Sequence, residues 1–228
     1  MTKARRNWAS QFVKDLAALR FENAFNPYAE RCGVHDLARG PAIRSQNLRI
    51  VLEAALARRV ESLWVGRDLG YRGGRRTGLA LTDEVHLADC AALMQSEPLR
   101  RATTGPLVAE RTAAVVWRTL RAIDQPVMLW NVFPLHPHGP GDPLSNRCHS
   151  RTERAACEPL LLRLLEALGP KAVIAIGRDA EAALSQLGVT PTTVRHPSYG
   201  GQPEFLDGLA RHYGVSLAAS TTQVTLPF

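Results

Sequence analysis

The sequence contains few cysteines, and no two of them form a short motif. Its 228 residues include four, and there is no C-x-x-C: Cys32, Cys90, Cys148 and Cys157. A structural zinc site needs ligands at short spacings, and a secreted disulfide scaffold needs a much denser set of cysteines. The cysteine pattern therefore argues against both, and we expect free thiols.

Long apolar stretches are absent as well. No run of 18 apolar residues occurs, and the first residues, MTKARRNWASQF, lack the apolar core of a signal peptide. We therefore expect a cytoplasmic protein that does not enter a membrane. With 45% hydrophobic and 21% charged residues, the chain can bury one sizeable core. We expect a single domain spanning residues 1–228.

Lysine is scarce although the chain is basic. Lys and Arg together number 28 against 21 for Asp and Glu, and only three of the 28 are lysines. Because arginine binds phosphate through a planar, bidentate fork, this composition favours a nucleic-acid partner. GC-rich codon usage also enriches arginine, so the composition supports DNA binding without proving it.

Short apolar runs alternate with amphipathic stretches along the chain. The runs predict strands at 62–65, 127–132, 172–176 and 192–195. Helical spacing of apolar residues predicts helices at 8–21, 45–58, 107–123, 151–168, 179–187 and 203–213. This alternation predicts an α/β fold, a three-layer α/β/α sandwich around a central four-stranded parallel sheet. The polar segment 83–106 suggests a flap at the active site, and the pattern of residues 215–228 is ambiguous.

The stretch after the first predicted strand is rich in glycine and arginine. From Gly66 to Gly78 it carries five glycines, four arginines and one aspartate, Asp68. Glycine lets the backbone approach a ligand, and parallel sheets place sites at the carboxyl ends of their strands. A carboxylate in a basic loop suits reaction on a polyanion whose reacting centre becomes cationic. Taken alone, such a segment is more often a solvated loop, and it lacks the P-loop and dinucleotide spacings.

Two further polar residues follow predicted strands. Asn131 ends an apolar strand, and its amide can donate to and accept from the edge of a base, although a buried Asn that satisfies loop backbone is slightly more common. His196 precedes a turn-rich loop, where a histidine that caps a strand is at least as common. Because parallel strands end at one edge of a sheet, we expect Asp68, Asn131 and His196 to meet at one cavity.

Five segments, taken in order, resemble the uracil-DNA glycosylase superfamily. They are GRDLG at 66–70, GLALT at 78–82, NVFP at 131–134, Asn146-Arg147 with Glu153 and Cys157 beyond, and HPSY at 196–199. The resemblance spans residues 63 to about 213 and is nearest the thermophile-type, iron–sulfur branch. It implies a base excision repair enzyme that flips uracil out of single- or double-stranded DNA and hydrolyses the N-glycosidic bond, which leaves an abasic site.

The resemblance also implies roles for particular residues. Asp68 would orient the attacking water and stabilise the sugar cation, His196 would donate to uracil O2, and Asn131 would pair with uracil N3–H and O4. Further contacts with the base are assigned to Gly66, Arg67, Gly70, Tyr71, Leu81 and Phe133. Contacts with DNA are assigned to Arg72, Arg75, Arg76, Ser198, Tyr199 and Gln202. Tyr199 or Gln202 would wedge into the vacated base stack.

The sequence departs from the iron–sulfur branch at its cluster ligands. Of four cysteines that hold the cluster in that branch, only Cys157 is matched, and Leu135 stands at the position of another. Since a cluster needs its full set of thiolates, we expect no cluster, no metal and no other cofactor. The histidine that traps the product covalently in one branch is matched best by Asn146, although His149, His138 and His136 lie nearby, so covalent trapping is not expected.

Two departures concern the base pocket. Gly70 stands where the uracil-specific branch has the tyrosine that excludes thymine, so strict exclusion of thymine is not predicted. Leu81 stands where that branch has a stacking phenylalanine, so Tyr71 or Phe133 would cover the base instead.

Two other functions fit the same residues. A non-catalytic protein would use the pocket to hold an abasic site or a damaged base, although Asp68 argues for turnover. A flavodoxin-like regulator would bind a mononucleotide and not DNA. We expect a monomer, because access to DNA requires a free basic face.

Overall fold

The computed structural model describes residues 3–217, with side chains from residue 5 onward. Its helices are α1 (Lys3–Ala18), α2 (Gly40–Arg58), α3 (Gly74–Thr77), α4 (Leu87–Met94), α5 (Arg111–Ile123), α6 (Arg151–Leu168), α7 (Arg178–Gln186) and α8 (Gln202–Tyr213). A 3₁₀ turn (Glu84–His86) precedes α4. The strands are β1 (Ala24–Phe25), β2 (Ser62–Asp68), β3 (Val127–Phe133), β4 (His136–Pro137), β5 (Ala172–Ile176) and β6 (Thr192–Val194).

A four-stranded parallel sheet in the order β3-β2-β5-β6 forms the centre of the structure. β2 is an inner strand, and its first five residues are all buried, which explains why it appears in the sequence as a continuous apolar run. Helices flank the sheet, and one apolar cluster extends from α1 to α8. The predicted α/β sandwich with four parallel strands is confirmed.

β2 is longer than its apolar run predicts. Gly66 pairs with Asn131, and Asp68 pairs with Phe133, so the strand continues through the first part of the glycine-rich segment. Asp68 therefore lies at the end of a rigid strand and not within a loop. Rigid placement suits a group that must be held in a fixed position.

The expectation of a flap at 83–106 is wrong. The segment contains the 3₁₀ turn and α4, and it carries Asp83 and Glu84 into the interior. Both carboxylates have partners there: Asp83 accepts from two backbone N–H groups of its own turn, and Glu84 pairs with Arg76 and Arg101. Paired charges are tolerated inside a protein, so polar sequence did not mean solvent exposure. Most of the ambiguous segment 215–228 lies outside the described residues.

A short antiparallel pair that sequence did not reveal joins the amino-terminal region to the loop after β3. Ala24 pairs with Pro137, and Phe25 pairs with His136. Two-residue strands carry no periodicity that a sequence pattern can show. None of the described helices is both long enough and apolar enough to span a bilayer.

Arg44 of α2 is a buried charge that ties several loops together. Its side chain is fully buried, forms a 2.7 Å ion pair with Asp36 and donates to the carbonyl of Pro27 at 2.5 Å. The Cβ of Arg44 also packs closely on Gly78, where a side chain would come within 2.8 Å of it. Arg44 therefore supports the segment that leads into Leu81.

Replacing Arg44 tests this support. Arg44→Ala leaves the Asp36 carboxylate buried without its counter-charge, and we expect it to lower the free energy of unfolding by about 3–5 kcal/mol. Arg121→Ala removes a solvent-exposed ion pair with Asp89, and we expect it to change the free energy of unfolding by less than about 1 kcal/mol. Urea unfolding followed by circular dichroism measures both. Equal values for the two variants would contradict a structural role for the buried pair.

Candidate active site

A cavity of about 270 Å³ opens at the carboxyl ends of the parallel strands. Asp68 comes from the end of β2 and His196 from just beyond β6, and both line it together with Leu81. A second cleft of about 290 Å³ shares these same three residues. The structure therefore brings Asp68 and His196 to one site, as the strand order predicts. Asn131 does not line this cavity, so the expectation that all three residues meet there is met only for Asp68 and His196.

Asp68 is held from two sides. Arg67 Nε lies 2.5 Å from Oδ2 of Asp68, and His149 Nδ1 forms a short hydrogen bond with Oδ1. The Asp68 side chain is only 6% exposed, so these partners fix its orientation at the cavity wall. His149 was not assigned to the site from sequence, because the contact joins residues 81 positions apart.

Asn131 is a buried amide without a hydrogen-bond partner. It is 1% exposed, and neither Oδ1 nor Nδ2 has a partner among the described residues. A Cβ on residue 66 would come within 2.6 Å of Asn131 Oδ1, so only glycine fits at this position. An unsatisfied buried amide costs free energy, on the order of 1–3 kcal/mol, so this group is available to a ligand that replaces the missing bonds.

Leu81 lies beside this amide. If residue 66 carried a Cβ, the two methyl carbons of Leu81 would lie 3.4 and 3.7 Å from it. Leu81 lines the cavity, whereas Asn131 does not. Its φ of 52° is in the left-handed region, which non-glycine residues rarely adopt and which often marks functional sites.

The hydrogen bonds of His196 identify which ring nitrogen carries the proton. Nδ1 accepts from the backbone N–H of Ser198 at 3.2 Å and lies 2.7 Å from the Ser198 hydroxyl. With Nδ1 accepting, Nε2 carries the hydrogen of the neutral ring. Burial, and then the charge of Arg67, lower the pKa of His196. The site therefore holds a neutral imidazole with Nε2–H as a donor. Ser198, assigned to DNA contact from sequence, orients this ring.

The residues expected to cover the base are placed differently. Phe133 is fully buried and packs on Phe21 and His149, so it is not free to stack on a base, and that expectation is not met. Tyr71 lies under the Arg72 guanidinium, and its hydroxyl accepts from Arg72 Nε at 2.7 Å. Gly70 lines the cavity as expected.

Arg75 and Arg76 do not form the exposed phosphate contacts that their sequence position suggests. They are only 5% and 7% exposed. Arg75 stacks on the Phe25 ring and donates to His136 Nδ1 at 3.0 Å, and Arg76 pairs with buried Glu84. Interior partners hold both side chains, so the expectation of direct DNA contact is corrected. Burial, and then the charge of Arg75, lower the pKa of His136 to about 3, so this ring is a neutral acceptor.

Other predicted DNA contacts lie at the surface. Arg72 is exposed, and Tyr199 is 99% exposed with a φ of 50°. Tyr199 and Gln202 border a groove of about 720 Å³ that also includes Arg111. A basic cleft of about 560 Å³ beside Asp68 includes Arg67, Arg151 and Arg154. Sequence reasoning missed the last two because α6 lies far along the chain from the glycine-rich segment.

The residues present do not fit an iron–sulfur cluster. Within the part of the chain that the structure describes, no group of three His, Cys, Asp or Glu side chains is placed to hold a metal ion. Burial raises the pKa of the Cys157 thiol to about 12, whereas a cluster ligand must be a thiolate. Leu135 is buried and offers no ligand atom.

Comparisons with known proteins agree with this architecture. Residues 56–211 match the family model of the Uracil DNA glycosylase superfamily. Among solved structures, the chain is similar to wild-type Pedobacter heparinus SMUG2, with a TM-score of 0.59 and 16% identity over 92% of this chain and 95% of that chain. At this identity the likeness shows the fold alone. No curated protein matches the chain.

The matched segment begins in α2, ends in α8 and contains the whole parallel sheet with the cavity at its carboxyl edge. It covers more than half of the chain. The chain therefore belongs to the uracil DNA glycosylase superfamily, a family of DNA glycosylases.

Proposed function

We propose that this protein excises uracil from DNA by hydrolysing the N-glycosidic bond. The buried, unpartnered amide of Asn131 is the observation that carries the proposal. It offers one donor and one acceptor, which is what the N3–H and O4 edge of uracil requires. Asp68 and the neutral His196 lie at the adjoining cavity, so groups for base recognition and for chemistry occur together.

Each group has a distinct part in the reaction. The target nucleotide flips out of the duplex, because its glycosidic bond is not accessible inside the stack. His196 Nε2–H donates to uracil O2 as the bond breaks and uracil leaves as an anion. Asp68 stabilises the cationic sugar and orients the attacking water, and the contacts from Arg67 and His149 keep its carboxylate in place.

Entry of the base requires Leu81 to move. Its side chain lines the cavity and lies beside Gly66, next to which the Asn131 amide is also placed. The left-handed backbone of Leu81 is a strained conformation that costs on the order of 1–3 kcal/mol. A movement of Leu81 away from Gly66 therefore starts from a strained backbone. Uracil then replaces the leucine methyl groups beside the amide.

DNA approaches across the face that holds the basic cleft and the groove bordered by Tyr199 and Gln202. Arg72, Arg111 and Arg151 are exposed around the cavity and are suited to phosphate contact. Tyr199 projects fully into solvent and can fill the gap left by the flipped base. The protein acts as a monomer, because a partner on this face would block the DNA.

One experiment separates excision from mere binding. The protein is incubated with a uracil-containing oligonucleotide, and the strand is then treated with alkali, which cleaves abasic sites. Cleaved strand supports the enzyme. Tight binding without cleavage would identify a non-catalytic protein that holds damaged bases, and binding of a mononucleotide alone would favour a regulator.

Asp68 tests the chemical step. Asp68→Asn removes the charge that stabilises the sugar cation, and we expect single-turnover excision to fall by about 10²–10³-fold while DNA affinity is retained. Asp207→Asn, an exposed carboxylate on α8, is the matched control and should leave both unchanged. If Asp68→Asn weakens binding as much as excision, the residue has no specific chemical role.

His196 gives a pH-dependent test. The pKa of His196 lies below its ordinary value, so the ring is neutral at neutral pH, and protonation of this ring should make excision decline on the acid side. His196→Ala should slow cleavage by about 10²-fold with little change in affinity for abasic product. A variant that retained the acid decline would show that another group causes it.

The arginines provide a paired test of DNA contact. Arg72→Ala removes one exposed cation, and the slope of log affinity against log salt should decrease by about 0.9. Arg75→Ala breaks the buried contacts with Phe25 and His136, so it should lower stability instead. Filter binding across salt concentrations and thermal unfolding measure the two effects. A reduced salt slope in a folded Arg75→Ala variant would contradict its interior role.

A further inference from the structure

Glu110 is an acidic residue at the cavity whose backbone is firmly held. It directly precedes α5, and its carbonyl accepts from the N–H of Ala114 at 2.9 Å. Its own N–H donates to Asp83 Oδ2 at 2.6 Å, and Asp83 is fully buried. The start of the Glu110 side chain is therefore fixed relative to the cavity.

The carboxyl group of Glu110 fits against two glycines of the β2–α3 loop. A Cβ at Gly70 would overlap Oε1, and a Cβ at Gly73 would overlap Oε2. Any other residue at either position would displace the carboxyl group. The space that Gly70 leaves open is thus occupied by a side chain from a distant part of the chain.

No side-chain hydrogen bond among residues 5–217 involves this carboxyl group, and the residue is half-buried. It lines the same cavity as Asp68, Leu81 and His196. The mechanism above assigns it no role. A carboxyl group that lines a substrate cavity, on a backbone that is held in place, is positioned to contact the substrate.

We propose that Glu110 determines base specificity, its protonated carboxyl group donating a hydrogen bond to a carbonyl of the flipped base. This inference rests on the proposed glycosylase function and names a recognition element of the same site. Deamination converts an exocyclic amino group into a carbonyl, so a neutral acid at the cavity favours deaminated bases over their amino-bearing parents. An ionised carboxylate has the reverse preference, because it only accepts hydrogen bonds.

The electrostatics around Glu110 support the neutral form. Burial, and then the negative charge of Asp83, raise the pKa of Glu110 to about 7, against the opposing charge of Arg72. The other charged or titratable groups around it are Arg111 beside it on α5 and, across the cavity, Arg67, Asp68, Arg147, His196 and Tyr199. The carboxyl group is protonated below about pH 7 and loses its proton above it.

The expected pH dependence of excision follows from the raised pKa of Glu110. As the pH rises through about 7, Glu110 ionises, loses its donor hydrogen and repels the uracil anion that leaves into the same cavity. Excision should therefore fall on the alkaline side by about tenfold, the size of one lost hydrogen bond. The acid-side decline caused by His196 is separate.

The test compares wild-type protein with Glu110→Gln, Glu110→Ala and the control Glu97→Gln, an exposed residue remote from the cavity. Single-turnover excision of uracil is measured from about pH 5.5 to about pH 8.5. In parallel, affinity is measured for an oligonucleotide carrying 2′-fluoro-2′-deoxyuridine, whose fluorine disfavours the sugar cation and prevents cleavage, against the same oligonucleotide carrying deoxycytidine.

Glu110→Gln keeps the shape and a permanent N–H donor, so it should abolish the alkaline decline while the control retains it. Glu110→Ala should lower excision by about tenfold at acid pH and reduce discrimination between uracil and cytosine. An alkaline decline that persists in Glu110→Gln would overturn the inference, whether or not the alanine variant folds.

The two readouts distinguish this inference from the proposed function. If the wild-type protein excises uracil and Glu110→Gln has the same pH profile of excision, the role of Glu110 is refuted and the proposed function stands. Uracil-selective binding that depends on Glu110, without any cleavage, refutes the enzyme but supports the recognition role. Absence of both cleavage and base-selective binding refutes both.

Discussion

The close approach of β2 and β3 at their carboxyl ends is the constraint on which the site depends. Gly66 pairs with Asn131, and the missing Cβ of Gly66 lets the asparagine amide lie directly against the neighbouring strand. Two residues further along, the same strand ends at Asp68. Asn131 and Asp68 are therefore both held by backbone hydrogen bonds of a buried sheet, which position side chains more precisely than a mobile loop does.

Charges inside the protein organise the cavity wall. Arg75 binds His136, whose other ring nitrogen contacts the carbonyl of Ser145 and the side chain of Asn146. Asn146 in turn accepts from the backbone N–H of Tyr71. This chain of contacts joins the glycine-rich loop to the loop after β4. Arg75, which was expected to contact DNA, therefore stabilises the wall of the cavity instead. Arg111 on α5 and Arg151 on α6 are exposed at the surface clefts instead.

Much of the site was predictable because its residues follow strands. Parallel strands end at one edge, and that rule alone brings Asp68 and His196 to one cavity. Sequence reasoning assigned neither His149 nor Glu110 to the site. His149 was considered only as a neighbour of Asn146, and Glu110 comes from a segment with no strand before it and no recognisable motif. Sequence reasoning also misjudged 83–106, since polar composition does not reveal whether carboxylates have interior partners.

The amino-acid sequence by itself determined the α/β class, the four parallel strands and the order of the motifs, because apolar periodicity and turn residues act locally. Only the tertiary structure decided which charges are buried, which amide lacks a partner and which carboxyl group fills the space beside Gly70. Those properties depend on contacts between residues far apart in the chain. Burial and pairing set the charge and hydrogen-bonding state of a side chain, and neither can be read from its neighbours in sequence.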